Sequence, residues 1–397
     1  MPVQCRSAEV PPEIAESDLR HWRVLQEFEQ AVQRAAAKRG AHLTESDRER
    51  QLSQGRYLGL FLFGLFNPVI ASMRGLCAVT SLSRVQREVS GGRVSLASFS
   101  EMQHVIDPAL LHEVFKDLAG RTPAHAAPEP ALAELQLIAQ DGSLWPALQR
   151  MAWAEYGVGR DGEAKGVRLH LRFNLVRGQP EDLLVQRGQS CERRALRRMC
   201  QPGQVNVGDR LYGEDYKLFA DVARHGGWFV FRFRESAVIN AEEELALTAE
   251  DRAAGVVRHL WATLGATDAL RSIRVRVVEI RTLEHHLFLA TNLPVDRASA
   301  ALVGRIYRKR WGIELFFRWI KCILGCRHFF AESPQGVTIQ LYLALIASLL
   351  FQHYTGRRPN KRVMELIHFY LLGWVDNDEL VSLLQKQMAG AQTRKKS

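Results

Sequence analysis

The pattern of apolar and polar positions changes from helical to strand-like near residue 135. Two apolar runs, at 57–71 and 341–351, are too short to cross a bilayer and predict buried helices. Residues 167–176 alternate between apolar and polar, which is typical of a half-buried strand. Shorter runs between turn residues predict the other elements: strands at 135–139, 183–186, 205–208 and 228–233, and helices at 191–200 and 216–225. The resulting order is β-β-β-α-β-α-β.

Composition limits what this pattern can mean. With 397 residues, 47% of them hydrophobic, the chain can bury a sizeable core and form two or three subdomains. The formal net charge of +10 favours a polyanionic partner, usually nucleic acid. Six cysteines, with no secretory leader, predict reduced thiols in a cytoplasmic protein. Cys322, Cys326 and His328 lack a fourth ligand at useful spacing, so no zinc site is expected.

The segment 305–322, RIYRKRWGIELFFRWIKC, carries the most distinctive grouping of polar residues. An α-helix here would place Tyr307, Arg310, Glu314 and Lys321 within an arc of roughly 60°. One carboxylate in a row with two cations and a phenol suits a site that holds a divalent cation beside phosphate oxygens. The alternative is an amphipathic helix with a solvated charged face.

The spacing Tyr307-x2-Arg310-x3-Glu314-x6-Lys321 resembles the Y-R-E-K motif of the IS-four class of bacterial insertion-sequence transposases. These are DDE enzymes with a ribonuclease-H-like catalytic core. The resemblance extends over about 135–351. It implies an α/β fold: a mixed sheet with flanking helices, a β-containing insertion subdomain, and helical N- and C-terminal regions. The predicted order of strands and helices is the order that a ribonuclease-H-like sheet requires.

The resemblance implies that Glu314 is the last acid of a DDE triad. Asp141, in QDGS after the first predicted strand, and Asp209, in GDRLY after the fourth, match the family's first and second acids. Judged alone, an aspartate at a strand end is usually a turn former or a helix cap. The argument therefore depends on both acids preceding the Y-R-E-K helix in the right strand order. Three nearby acids are rivals: Asp161, Glu214 and Asp215.

Three converging carboxylates repel each other, and two Mg²⁺ or Mn²⁺ ions about 4 Å apart would relieve that repulsion. The resemblance implies two such ions per active site, held by Asp141, Asp209 and Glu314. It also implies DNA nicking, hairpin formation, hairpin opening and strand transfer. Three residues are expected to hold a DNA phosphate: Tyr307, Arg310 and Lys321. The expected partner is double-stranded DNA, namely the element's terminal inverted repeats and target DNA, bound by a homodimer without membrane involvement.

Composition shifts, the linker-like stretch 122–130 and the resemblance together imply six segments. They are a helical, mostly solvated N-terminal segment (1–54), a small helical DNA-binding domain with the linker (55–130), the first part of the catalytic core (131–236), an insertion subdomain (237–295), the return helix of the core (296–332), and a C-terminal helical region with a basic tail (333–397). The insertion begins with an acidic stretch, 241–252, that is predicted to be helical, and continues with strand-like stretches at 272–280 and 286–291. By the resemblance it would carry an aromatic residue that receives a flipped base, for which Phe288 and Trp261 are the candidates.

Two other functions remain open on the sequence. A metal-dependent nuclease or junction resolvase of the same fold would lack strand transfer. A non-enzymatic DNA-binding protein derived from a transposase would not need the three acids to converge.

Overall fold

The chain forms two compact units in a computed structural model. The model describes residues 23–39, 52–124, 129–147, 151–159, 162–267, 271–282, 286–326, 329–355 and 360–393. One unit, here the helical unit, comprises Met1–Ala127, Trp145–Ala154 and Phe317–Ser397. The other, here the sheet unit, comprises Pro128–Leu144 and Glu155–Phe316. The finer six-part division stays a prediction. His328, Asp161 and the basic tail after residue 393 lie outside the described residues.

A ten-stranded sheet organises the sheet unit. Its strands are β1 Gln136–Pro146, β2 Glu155–Gly159, β3 Gly162–Asn174, β4 Gln179–Arg187, β5 Gln204–Gly208, β6 Trp228–Phe233, β7 Ile239–Glu244, β8 Val256–Leu264, β9 Val275–Arg281 and β10 His286–Thr291. They lie in the order β2-β3-β1-β5-β6-β10-β9-β8-β7, with β4 paired to β3.

The strand directions confirm the predicted ribonuclease-H-like α/β fold. β1 pairs parallel with β5, and β5 pairs parallel with β6. β3 and β4 form an antiparallel pair on the other side of β1. Beyond β6, the strands β10, β9, β8 and β7 continue the same sheet in antiparallel pairs. The β strands expected between the second and third acids are therefore present, as an extension of the central sheet.

Burial explains why the central strands take this form. All five residues of β5 are buried, as expected for a parallel strand with both faces covered. Phe229 and Phe231 of β6 are buried and stack at 5.0 Å between ring centroids. Phe219 packs against Phe229 from a helix on one face. The helices nearest these strands are Glu192–Met199, Arg210–Gly213, Tyr216–Arg224 and Ala300–Lys309.

The acidic stretch was predicted wrongly. Residues 241–244 all belong to strand β7, and only Ala249–Ala253 is helical, behind a capping box that Thr248 and Asp251 make. Successive glutamates suggest a solvated helix, but here they pair across the sheet. Arg274, the residue directly before β9, contacts Glu242 and Glu243. Arg258 of β8 contacts Glu244. Such opposite-charge pairs stabilise an exposed strand.

The helical unit is built around the helix Pro334–Thr355. It packs against Pro108–Arg121 and Gln54–Phe66. Its stretch Pro334–His353 is long and apolar enough to cross a membrane, but 83% of its most apolar window is buried within the protein. The remaining helices of eight or more residues in this unit are Arg23–Lys38, Leu96–Val105, Lys361–Leu371 and Asn377–Thr393.

The first described helix is more buried than its sequence suggested. Residues 1–54 were predicted to be helical and mostly solvated, and Arg23–Lys38 is helical. However, Phe28, Val32 and Ala35 are all at most 2% exposed. This helix packs against Pro108–Arg121, so it contributes to the core.

Candidate active site

Asp141 lies on β1, and Asp209 follows directly after the neighbouring parallel strand β5. Four successive pairs, from Gln136↔Gln204 to Ala139↔Val207, keep one constant offset. The same offset carried two residues further brings Asp141 opposite Asp209. β1 continues to Pro146, so Asp141 lies inside the strand and not at its end, which corrects the expected position. The parallel register, and not a strand end, determines where Asp141 lies.

The Asp209 side chain is held in place by backbone groups of the short helix that it caps. It is the N-cap of the short helix Arg210–Gly213, and its Oδ1 accepts a hydrogen bond from the Leu211 N–H at 2.9 Å. The end of that helix rests directly on β6: a Cβ at Gly213 would lie 1.9 Å from the Arg232 carbonyl oxygen. Only glycine allows this approach, which fixes the cap and its carboxylate against the sheet.

Glu314 lies beside Arg310 and Tyr307, as the spacing predicted. Arg310 Nη1 donates to Glu314 Oε1 at 2.5 Å, and its guanidinium lies 5.5 Å from the centroid of the Tyr307 ring. Burial lowers the pKa of Arg310, but its contacts with Tyr307 and Glu314 outweigh that effect and raise the pKa above its ordinary value. Three members of the predicted row therefore form one contact group.

The predicted single helix over 305–322 was wrong in its detail. The chain forms Ala300–Lys309, a turn at Arg310, the helix Trp311–Arg318, and a π-helical turn Trp319–Ile323. Lys321 lies in that π-helical turn, in the part of the chain that belongs to the helical unit. A constant 100° per residue therefore does not give the direction of Lys321 relative to Tyr307, Arg310 and Glu314.

Lys321 lies over an aromatic ring in its own unit. Its Nζ lies 4.1 Å from the centroid of the Trp145 ring, a cation–π contact. The Trp145 Nε1–H donates to the Cys326 carbonyl oxygen at 2.8 Å, which fixes the ring. Burial lowers the pKa of Lys321. The ammonium is therefore oriented by a rigid indole.

Electrostatics link the three predicted acids. Burial, together with the charges of Glu192, Glu314 and Asp209, raises the pKa of Asp141 to about 7, against the opposing effect of the Gly142 N–H. Acids distant in sequence thus act on one carboxyl group. The charges of Asp209 and Glu314 both reach Asp141; the catalytic roles of the three acids stay a prediction.

Sequence reasoning missed Glu192. It begins the helix Glu192–Met199, and its carboxylate accepts a hydrogen bond from Arg168 Nη1. Its charge acts on Asp141 more strongly than the charges of Glu314 and Asp209. The sequence signal was weak, because this helix is marked mainly by its four arginines, and no spacing ties Glu192 to Asp141.

These side chains fit a divalent ion chemically. Carboxylate oxygens are the ligands that Mg²⁺ and Mn²⁺ prefer. Oε2 of Glu314 is buried and, within the described residues, has no hydrogen-bond partner, so it remains open to a cation. Within the described ranges, no three His, Cys, Asp or Glu side chains are arranged as a ready-made ligand set. Two of the four carboxylates, those of Glu192 and Glu314, are engaged by arginines instead.

The two candidates for a flipped-base pocket are both packed against other side chains. Phe288 is 8% exposed and belongs to the core cluster around Phe233. Trp261 of β8 lies under the guanidinium of Arg274, at 4.7 Å from its ring centroid. Most of the Phe288 ring is therefore buried in the core.

All the similar proteins reported below are named as transposases or as a transposase domain. Residues 133–350 match the model of the family described as Transposase DDE domain. The chain is 28% identical, over 51% of its length and 52% of the other, to a Geobacillus stearothermophilus protein named as a probable transposase for insertion sequence element IS5377. It is 25% identical to a Sinorhizobium fredii protein named as a transposase, y4zB, over 66% of this chain and 71% of that one. The match therefore spans about half the length of the Geobacillus protein.

Proposed function

Because the chain belongs to the family of transposase DDE domains, we propose that it cuts the ends of an insertion sequence and joins them to target DNA. The observation that supports this most directly is the electrostatic coupling of Asp141 to Asp209 and Glu314, three acids far apart in the sequence. Such convergence is what a DDE site needs. The formal net charge of +10 suits a DNA partner.

A DDE domain implies dependence on a divalent metal. We infer that Asp141, Asp209 and Glu314 hold two ions, Mg²⁺ or Mn²⁺. When bound, such ions activate a water or a DNA 3′-hydroxyl and stabilise the leaving 3′-oxygen. The carboxylates themselves position the scissile phosphodiester by fixing where those ions bind. No side chain becomes a covalent nucleophile.

The Tyr307–Arg310–Glu314 group would serve binding as well as chemistry. Arg310 can donate to phosphate oxygens through its planar guanidinium, which suits the 5′ phosphate beside a cut end. Tyr307 supports that guanidinium from one side. We propose that Lys321, oriented by Trp145, contributes a further phosphate contact.

The proposed substrates are the element's terminal inverted repeats and target DNA. The proposed reaction order is nicking, hairpin formation, hairpin opening and strand transfer, carried out by a homodimer that pairs two ends. We place this reaction in the bacterial cytoplasm, at the nucleoid.

The test uses the full chain with Mg²⁺, labelled duplexes that carry the element's own ends, and a supercoiled plasmid as target. We expect cut ends, a hairpin intermediate and plasmid-joined product. Cut ends without any joined product would favour the nuclease. End binding with neither cleavage nor joining, in Mg²⁺ and in Mn²⁺, would favour a non-enzymatic DNA-binding protein.

A further inference from the structure

Glu192 reaches the backbone of β1 immediately beside Asp141. A Cβ at Gly142 would lie 2.6 Å from Glu192 Oε1 and 2.8 Å from its carboxyl carbon, so any side chain at 142 would displace the carboxylate. The Glu192 side chain is only 12% exposed. Because position 142 is a glycine, the Glu192 carboxylate has room to lie beside Asp141.

The carboxylates of Asp141 and Glu192 both lie near the Gly142 N–H. The Gly142 N–H donates to Asp141 Oδ1 at 2.8 Å and also interacts with the Glu192 carboxylate. Two anions that meet at one N–H repel each other strongly in a partly buried place. A salt bridge between Glu192 and Arg168 that served stability alone would not need Asp141 nearby, because a second carboxylate only adds repulsion.

Tyr212 supplies an independent observation. Its side chain is 1% exposed, and its hydroxyl has no hydrogen-bond partner among the described residues. Burial raises its pKa well above the ordinary value, and the charges of Glu192, Asp141 and Asp209 raise it further. A buried hydroxyl without a partner is costly. It indicates that a polar ligand completes this place.

Arg168 supplies the positive charge that lies beside Glu192. Its Nη1 donates to Glu192 Oε1, and its Nε donates to the Gly188 carbonyl oxygen at 3.0 Å. The second contact ties the guanidinium to the loop after β4. The cation beside these carboxylates is therefore a side chain fixed by the fold.

We propose that Glu192 is a fourth carboxylate of the active site and binds one divalent ion together with Asp141. Arg168 occupies the place of that charge until the ion binds. This inference rests on the proposed function. The proposed role differs from a purely structural role in one respect, because the ion and Arg168 compete for Glu192. Removing Glu192 should therefore lower the affinity for the metal ion, and removing Arg168 should raise it.

Mn²⁺ binding to the full chain without DNA tests the inference, with free Mn²⁺ followed by electron paramagnetic resonance. Glu192→Gln should weaken binding of one ion about tenfold. Arg168→Met, which keeps volume and removes the charge, should tighten it about threefold or more. A pair that matters only for stability would weaken binding in both variants or change neither, and either result would overturn the inference.

Two further variants separate this inference from the proposed function. Glu244→Gln removes a similar glutamate–arginine pair, with Arg258, and should leave Mn²⁺ binding unchanged. Asp141→Asn should abolish binding at the same ion site. Unchanged binding in Asp141→Asn would count against the proposed function itself. Normal binding in Glu192→Gln beside a defective Asp141→Asn would overturn the role of Glu192 alone. Thermal unfolding in EDTA checks that each variant folds.

Discussion

The aspartates on the sheet and the glutamate on the return helix are positioned by different means. Asp141 and Asp209 are placed by backbone, through the parallel register of β1 and β5 and a helix cap. In the described parts of the chain, neither pairs with a basic side chain. Glu314 is placed by side chains, through its contact with Arg310.

This difference teaches which part of the site is rigid. The main chain places the aspartates near each other, and burial, with the charges of Glu192, Glu314 and Asp209, raises the pKa of Asp141. Glu314 Oε1 already has a cationic partner in Arg310, and the proposed ion would have only Oε2 left to bind. The sheet therefore supplies the fixed half of the site, and the helix supplies an adjustable half.

The most severe test removes a carboxylate from the fixed half. Asp141→Asn should reduce cleavage of the element's ends by about 10³-fold or more, because the site loses charge needed to hold an ion. Binding of uncut ends should stay within a few-fold in gel-shift titrations. Glu214→Gln, at an acid paired with Arg234, is the matched control and should cleave normally. Cleavage at the normal rate in Asp141→Asn would remove Asp141 from the site.

The same substitution should also change the pH dependence of stability in EDTA. The pKa of Asp141 lies near 7 in the folded chain, above its ordinary 3.8. Folding therefore favours the protonated form, and stability from this group is complete below pH 3.8 and falls as pH rises to 7. Asp141→Asn should thus stabilise the chain by about 2 to 3 kcal/mol more at pH 8 than at pH 5.

Urea unfolding of both proteins at the two pH values measures this. An equal effect of Asp141→Asn at pH 5 and pH 8 would mean that the carboxyl group is not strained by its neighbours.

A change in the adjustable half should act on DNA that carries a free phosphate. Arg310→Ala should weaken binding of cut ends about tenfold and of uncut duplex less, because the guanidinium is expected to grip the 5′ phosphate. Fluorescence anisotropy with matched cut and uncut oligonucleotides measures the ratio. Arg258→Ala removes an equal charge on β8 and serves as the control. Equal losses on both DNAs would assign Arg310 to general backbone contact.

The smallest effect is expected at Lys321. Lys321→Met should weaken DNA binding about threefold and reduce the slope of log affinity against log salt concentration by about 1. Salt titrations from low to physiological ionic strength measure that slope. An unchanged slope would show that the ammonium makes no phosphate contact and serves only to pack on Trp145.

Much of the central sheet was predictable because its signal is local. β6 and β10 begin and end at the residues expected from their apolar runs, Trp228–Phe233 and His286–Thr291. The first helix after β4 was also placed to within one residue at each end, as Glu192–Met199. Apolar runs between turn residues determine these elements without help from distant contacts.

The elements that sequence reasoning missed depend on partners far along the chain. β7 forms by antiparallel pairing with β8, and Arg258 and Arg274 pair with its glutamates. Glu192 matters because Gly142 leaves room for it, fifty residues earlier in the chain. The turn at Arg310 lies within a stretch whose composition favours uninterrupted helix. Each of these features becomes visible only when separate segments meet.

The interleaving of the two units has a consequence for protein synthesis. The helical unit needs Pro334–Thr355, which is made after the whole of the sheet unit. While the ribosome translates the middle of the gene, the nascent helix Gln54–Phe66 lacks Pro334–Thr355, one of the helices that bury it, so part of its apolar surface stays exposed to other chains. Premature termination should therefore yield aggregating fragments and not a working half, and slow translation should make chaperones more important for this polypeptide.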